Sequence, residues 1–505
     1  MTSIPELDQA SLQRVAEIKK LSPGAKIHLI GICGTGMAAV AALLVQLGYQ
    51  ISGSDKAFYP PMGPYVRSLT SALYQGFSLD NFKIKPDLVV IGNSIRSDNV
   101  EVDFTLKQKI PYASMPEVFA ALLIGERDFC PRSIVVSGTH GKTTTTAAIA
   151  TLLDLAGLKP GYFIGGAPLN LPGSIRVVDT ELEVSKRTVV LEGDEYDSAY
   201  FAKWPKFHSY RPDFLVITSI EFDHGDIYAS LDEIRTEFNR LIKRVPKAGA
   251  IFVNADDPKL VAQVSQLFSE NQIQAQVFFY GLSPSANFRL VSRTSLESGG
   301  QTLECSLDGQ NLVMQTRLTG PHNALNLLVT ASIGKCLGLS AEKIRHGVAE
   351  FRGVARRQQI IDEKNGITVL EDFAHHPTAV DLTLKGLKEN YPGRRLIAVF
   401  EPRSNTSRRA FFQEAYTEAF SASDVAVVKK VSDASGYAKA ELETKALDVE
   451  LLIEKLKAKG KHGFSFSSVE EIREFLLQFQ SPGDVIVFMS NGDFGGLMEQ
   501  YIRSI

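Results

Sequence analysis

Between an apolar run and a helical run the chain reads GTHGKTT, Gly138 to Thr144. Gly138 and Gly141 let backbone N–H groups converge on phosphate oxygens, and Lys142 brings a cation. The helix that follows adds the partial positive charge of its N-terminus. Thr139 and His140 fill the turn, Thr144 opens the helix, and the Thr143 hydroxyl falls where Mg2+ needs an oxygen. Only two residues separate the glycines, so the loop is shorter than the common G-x-x-x-x-G-K-[ST] pattern. ATP binding is the expectation.

Two acidic strand ends follow. The run TVVLEGDEYD ends in Glu192, with Asp194, Glu195 and Asp197 behind it. The run VITSIEFDHGD repeats the arrangement with Glu221, Asp223, His224 and Asp226. Carboxylates at strand tips beside a phosphate loop are where a nucleotide-bound Mg2+ finds ligands, and a histidine among them could reach a second metal.

An earlier turn, in KIHLIGICGTGMAAV, also joins an apolar strand to a helix. Asp55 of SGSD stands about where a dinucleotide fold carries its ribose ligand. The glycines Gly31, Gly34 and Gly36, however, fall as G-x-x-G-x-G, out of the G-x-G-x-x-G order. An NAD-dependent oxidoreductase is therefore a weak alternative, as is a nucleotide-binding regulatory module without turnover.

Those motifs sit in an alternation of apolar strands with helical patterns, the mark of parallel α/β sheets. Met37, Val40, Ala41, Leu44 and Leu47 share one helix face, and Gly48 ends that helix. The alternation restarts at Ser133 and again after FRGVARRQQ, where ITVLEDFAHHP, RRLIAVFEP, DVAVVKK and DVIVFMS read as strands. Short strands and frequent glycines from Val277 to Arg317 predict a small antiparallel sheet appended to the middle run. The chain of 505 residues thus reads as α/β throughout, three α/β domains in series: residues 1–124, 125–350 and 351–505. A hinge is expected near Phe351 to Gly353.

Composition excludes other classes. The 54 Lys and Arg against 57 Asp and Glu carry no bias toward nucleic acid or a membrane surface. The four cysteines lie far apart, without zinc-finger spacing, and are expected as reduced thiols. No signal-like apolar segment opens the chain, so a cytoplasmic place is expected.

Taken in order, GTHGKTT, EGDEYD, EFDHGD, GPHNALN, VARRQ and EDFAHHPTA resemble the Mur ligases from about Lys26 to Met498. The resemblance implies a Rossmann-like N-terminal domain that binds a UDP-sugar, a P-loop central ATPase domain and a Rossmann-like C-terminal domain for the incoming amino acid or peptide. It implies Gly34, Thr35, Gly36, Met37, Ser54 and Asp55 at the UDP-sugar. It implies Gly138 to Thr144, Asn323, Asn326, Arg356 (or its neighbour Arg357) and Asp372 at ATP, and Thr143, Glu192 and His224 on metal. Lys142, Glu192, His224, Arg356 and His376 are the implied catalytic set, with His376 a candidate base. The position that holds a modified lysine in several members reads Asn239 here.

Within the family, YPPM, EPRSNT and MSNGDFGG resemble members that join UDP-N-acetylmuramate to the tripeptide L-alanyl-γ-D-glutamyl-meso-diaminopimelate in peptidoglycan recycling. Arg403, Ser404 and Asn405 would then hold the peptide, since a guanidinium grips a carboxylate with two parallel hydrogen bonds. The alternative acceptor is L-alanine, used in de novo wall synthesis.

Overall fold

The computed structural model describes residues 9–505 apart from 60, 224–226, 298, 405–406 and 432–445. His224 and Asn405 lie outside the described residues.

Three sheets form in sequence. The first has five parallel strands in the spatial order Leu73–Gln75, Gln50–Asp55, Lys26–Ile30, Leu88–Ile91, Tyr112–Ser114. The order reverses at Lys26–Ile30, and the glycine turn leaves the carboxyl end of that strand, where open α/β sheets form their crevice. The helix after the turn spans Thr35–Gln46, two residues earlier than its apolar spacing predicts, and Met37 to Leu44 are all buried. Small residues dominate it because it packs on both the sheet and the middle domain. Gln46 Nε2 donates to the Ile175 carbonyl across that contact.

The second sheet has ten strands. Arg132–Ser137 runs at its middle, flanked by Thr188–Gly193 and Phe214–Ile217 as parallel neighbours. Their inner residues are buried on both faces, which explains why they read as unbroken apolar runs. Each Leu, Ile or Val so buried contributes about 1.5–3 kcal/mol. Phe288–Ser295, Gln301–Leu307 and Gln310–Thr316 pair antiparallel, as the short-strand region predicts. They extend the same sheet rather than forming a separate one, because Phe288 pairs parallel with Tyr280.

In the third sheet of six strands, Val485–Met489 comes last in the chain but lies between Ile367–Asp372 and Leu396–Phe400. That insertion brings Ser490 to Gly492 alongside the ends of both neighbours. Among the described residues no helix is long and apolar enough to cross a membrane. The four cysteines are free thiols, Cys130 and Cys305 buried and Cys33 and Cys336 half-buried.

The expected hinge at Phe351 to Gly353 is fastened to the middle domain. Arg352 N donates to Asn170 Oδ1 (2.6 Å), and Leu169 N donates to the Gly353 carbonyl (3.0 Å). The backbone turns just beyond it, where Arg356 (φ 62°) and Gln358 (φ 49°) are left-handed.

Candidate functional site

The phosphate loop leaves Arg132–Ser137 through Gly138 and enters the helix Lys142–Leu155 through Gly141, whose φ is 83°. A side chain at Gly141 would lie 2.7 Å from Asn326 Oδ1, so the loop packs directly on that asparagine. Lys142 Nζ donates to the Gly138 carbonyl (2.6 Å) and to both Glu195 oxygens (3.0 and 2.8 Å). Burial disfavours the ammonium, but the Glu195 and Asp194 carboxylates hold its pKa above the ordinary value. Glu195 is the residue the motif reading left without a role, since its contact to Lys142 spans 53 positions.

Thr143 Oγ1 donates to Glu192 Oε1 (2.9 Å), and Gly165 N donates to Oε2 (2.7 Å). Burial pushes the Glu192 carboxyl up despite Lys142 nearby. A hydroxyl and a carboxylate oxygen side by side beside the loop are hard donors of the kind Mg2+ takes, so these residues fit that ion.

On the other flank, Glu221 accepts from Thr378 Oγ1 of the third domain (2.6 Å) and has His140 Nε2 at 3.5 Å. Burial would raise Glu221, but the facing His140 and Thr378 outweigh it and bring the carboxyl down to about 2. His376 caps the helix Pro377–Asn390: its Nδ1 accepts from Thr378 N (3.3 Å), and Nε2 faces the Phe222 carbonyl (3.3 Å). Burial and the neighbouring His140 push its pKa down to about 4. His376 borders the cleft, with one nitrogen capping its helix and the other facing a carbonyl of the middle domain.

Asn323 and Asn326 reach the cleft from the helix Pro321–Cys336, and Asp372 from the end of Ile367–Asp372. Asp372 accepts from Gln358 N (2.7 Å) and Ala374 N (2.6 Å), and burial raises its pKa. The arginine pair separates. Arg356, the expected phosphate ligand, turns away, with Nε on Glu371 Oε1 (2.5 Å) and Nη2 on the Ser490 carbonyl (3.1 Å) and the Gly492 carbonyl. Its neighbour Arg357 lines the cleft, stacked on Phe373 at 4.8 Å. Both guanidinium groups lie over the Phe373 ring, but only Arg357 borders the cleft, which corrects Arg356 to Arg357.

In the first domain, Thr35 and Gly36 border the cleft, with Gly34 as the helix cap. Asp55 Oδ2 accepts from Cys33 N (2.8 Å) and so holds the turn in shape. Ser54 is fully buried with its hydroxyl on Glu101, and Met37 is buried in the core. Those two expected ligands are corrected to supports of the turn.

Arg403 is half-exposed and pairs with Asp493 Oδ1 (3.1 Å), crossing Gly492 so closely that any side chain there would overlap it. Ser404 is occupied with Ser407 (2.9 Å). Asn491, one residue before Gly492, reaches the cleft; Arg403 and Ser404 do not border it. Asn239, at the modified-lysine position, accepts from Gln263 (2.6 Å).

One cleft of about 600 Å³ gathers Thr35 and Gly36, Lys142, Glu192, Asn326, Arg357 and Asp372, so all three domains line it. Comparison with known proteins agrees with that plan. Residues 26–127 match the Mur ligase family catalytic domain, 136–334 the Mur ligase middle domain and 356–492 the Mur ligase glutamate ligase domain. A UDP-N-acetylmuramate–L-alanyl-γ-D-glutamyl-meso-2,6-diaminoheptandioate ligase of Escherichia coli (strain K12) is 31% identical over 484 residues, 95% of this chain and 98% of its own. A murein peptide ligase from Psychrobacter arcticus has a TM-score of 0.70 at 29% identity, covering 95% of this chain and 98% of its own. A UDP-N-acetylmuramate-alanine ligase from Thermotoga maritima has a TM-score of 0.76 at 25% identity, covering 95% and 99%.

Proposed function

Since the chain belongs to the Mur ligases, ATP-dependent enzymes that form amide bonds, we propose that it joins the carboxylate of UDP-N-acetylmuramate to the amine of L-alanyl-γ-D-glutamyl-meso-diaminopimelate. The observation that carries this reading is the single cleft lined by all three domains, with Lys142 inside it. Residues 1–124 hold the UDP-sugar, 125–350 hold ATP and 351–505 hold the acceptor, in the cytoplasm.

A carboxylate is a poor electrophile, and the γ-phosphoryl group of ATP repairs this by converting it to an acyl phosphate. As the sugar carboxylate attacks the γ-phosphorus, the bond to the β–γ bridging oxygen breaks and ADP leaves; negative charge spreads over the equatorial oxygens, and Lys142 and Arg357 offset it from two domains. A bound Mg2+, with Thr143 and Glu192 as oxygen ligands, would neutralise phosphate charge. The acceptor amine then attacks the acyl carbon and phosphate leaves. Because acyl phosphates hydrolyse readily, burial of the cleft between domains keeps water out.

The tripeptide is favoured as acceptor by EPRSNT, which puts the half-exposed Arg403 beside the Ser490–Gly492 turn that borders the cleft, and by the match to the Escherichia coli relative. L-Alanine is the second reading, favoured by the fold likeness to the Thermotoga maritima ligase. Phosphate release with UDP-N-acetylmuramate and ATP, with either amine supplied, separates them. Turnover with tripeptide alone is expected, and turnover with L-alanine alone sinks the first reading.

A further inference from the structure

Three side chains from three motifs meet at the edge of the phosphate loop, where all three border the cleft. His140 lies within the loop, Glu221 follows the strand Phe214–Ile217, and His376 opens the third-domain helix Pro377–Asn390. Their ligand atoms all lie within 4.8 Å of one another. His140 Nε2 and Glu221 Oε2 are already 3.5 Å apart. A tetrahedral Zn2+ with bonds of about 2.0–2.1 Å sets its ligands about 3.3 Å apart, so side-chain shifts on the order of 1 Å close the set.

A second observation points to a cation. His140 Nε2 is buried and has no hydrogen-bond partner among the described residues. A buried polar atom without a hydrogen bond is costly; Glu221 Oε2 faces this one at 3.5 Å, and a metal between them would satisfy both. The two nitrogens of His376 are held only by 3.3 Å contacts, at the long end for hydrogen bonds, and ligation by either gives up one of them. Support is in place around the carboxylate. Thr378 Oγ1 donates to Glu221 Oε2, and Glu221 N donates to Thr139 Oγ1 (2.8 Å), which fixes its backbone to the loop.

We propose that His140, Glu221 and His376 form a transition-metal site that takes Zn2+ in the substrate-free enzyme and clamps the phosphate loop to the third domain. Two imidazoles and one carboxylate select Zn2+ or Co2+ over Mg2+, whereas Thr143 and Glu192 offer only oxygen. The fourth position is left for water. The bridged elements belong to different domains, so the ion resists their separation and holds shut the route by which nucleotide enters.

The test is Co2+ titration of the full, substrate-free chain. One equivalent is expected to give the intense visible absorption of four-coordinate cobalt, displaced by equimolar Zn2+ and kept in excess Mg2+. His140→Gln and Glu221→Gln, shown folded by circular dichroism, are expected to weaken Co2+ binding at least about 100-fold. Thr378→Val, which removes only the support, is expected to weaken it about 10-fold. X-ray absorption on the Zn2+-loaded wild type needs no variant and is expected to show imidazole scattering and a nitrogen and oxygen shell. No bound cobalt, displacement by Mg2+, unchanged affinity in the folded variants, or a sulfur shell assigning the ion to one of the four cysteines overturns the proposal.

Discussion

Two strand-turn-helix units in this chain present glycines and a helix N-terminus to the same cleft, yet they are built for different tasks. The turn after Lys26–Ile30, Gly31 to Gly36, contains no lysine or arginine of its own. A carboxylate, Asp55, is spent on keeping its backbone in shape. The turn after Arg132–Ser137 carries Lys142 and is ringed by Glu192, Glu195 and Glu221. Backbone dipoles suffice to hold an anion whose charge stays constant. A group whose charge redistributes during reaction needs a full cation and carboxylates able to organise metal and lysine.

Breaking the second turn should therefore cost far more than breaking the first. Lys142→Met is expected to lower kcat/KM about 10³-fold. It also removes the ammonium that both Glu195 oxygens accept from, so urea unfolding of the substrate-free protein should show a loss of about 1.5–3 kcal/mol. A smaller effect separates the two arginines. Arg357→Ala is expected to lower kcat about 10²-fold in phosphate-release assays, while Arg356→Lys, which keeps its charge on Glu371, stays within about 3-fold. Equal losses in the two would return the phosphate role to Arg356.

Acid should act where the third domain meets the second unit. The folded pKa of His376 is about 4, below its unfolded value of about 6.5. The stability it contributes by staying neutral is fully present above about pH 6.5 and lost as pH falls through 4. The loss is roughly 3 kcal/mol. His376→Asn keeps a capping side chain, and urea midpoints measured against pH should flatten in that window. The smallest effect belongs to the first turn. In Gly36→Ala the new methyl meets Met115 Sδ at 2.4 Å, the end of a flexible side chain. KM for UDP-N-acetylmuramate is expected to rise about 10-fold, on the order of 1.4 kcal/mol, with KM for ATP unchanged.

The same contrast governs what could be read from sequence. Glycines, Lys142 and Thr143 declare the second turn because a phosphate dictates their types and their order together. The parallel strands announce themselves as apolar runs for the equally local reason that both faces are covered. Glu195 was silent because its partner lies 53 residues away. Arg356 and Arg357 could not be told apart because the partners that draw Arg356 aside, Glu371 and the Ser490 carbonyl, are distant in the chain. Ser54 looked like a ligand beside Asp55, yet in a strand adjacent residues point to opposite sides, and its hydroxyl was needed by the buried Glu101. The position of Val485–Met489 inside the third sheet was hidden for a topological reason: pairing order is not written in any one strand.

The pair between Lys142 and Glu195 has a further meaning for turnover. The loop lysine is held by an anion that the chain itself supplies. Nucleotide binding is then an exchange of one negative partner for another, and product departure is met by recapture of the ammonium. The lysine is never left bare in a buried place, and an affinity measured for ATP would report a competition between a tethered carboxylate and a diffusing phosphate.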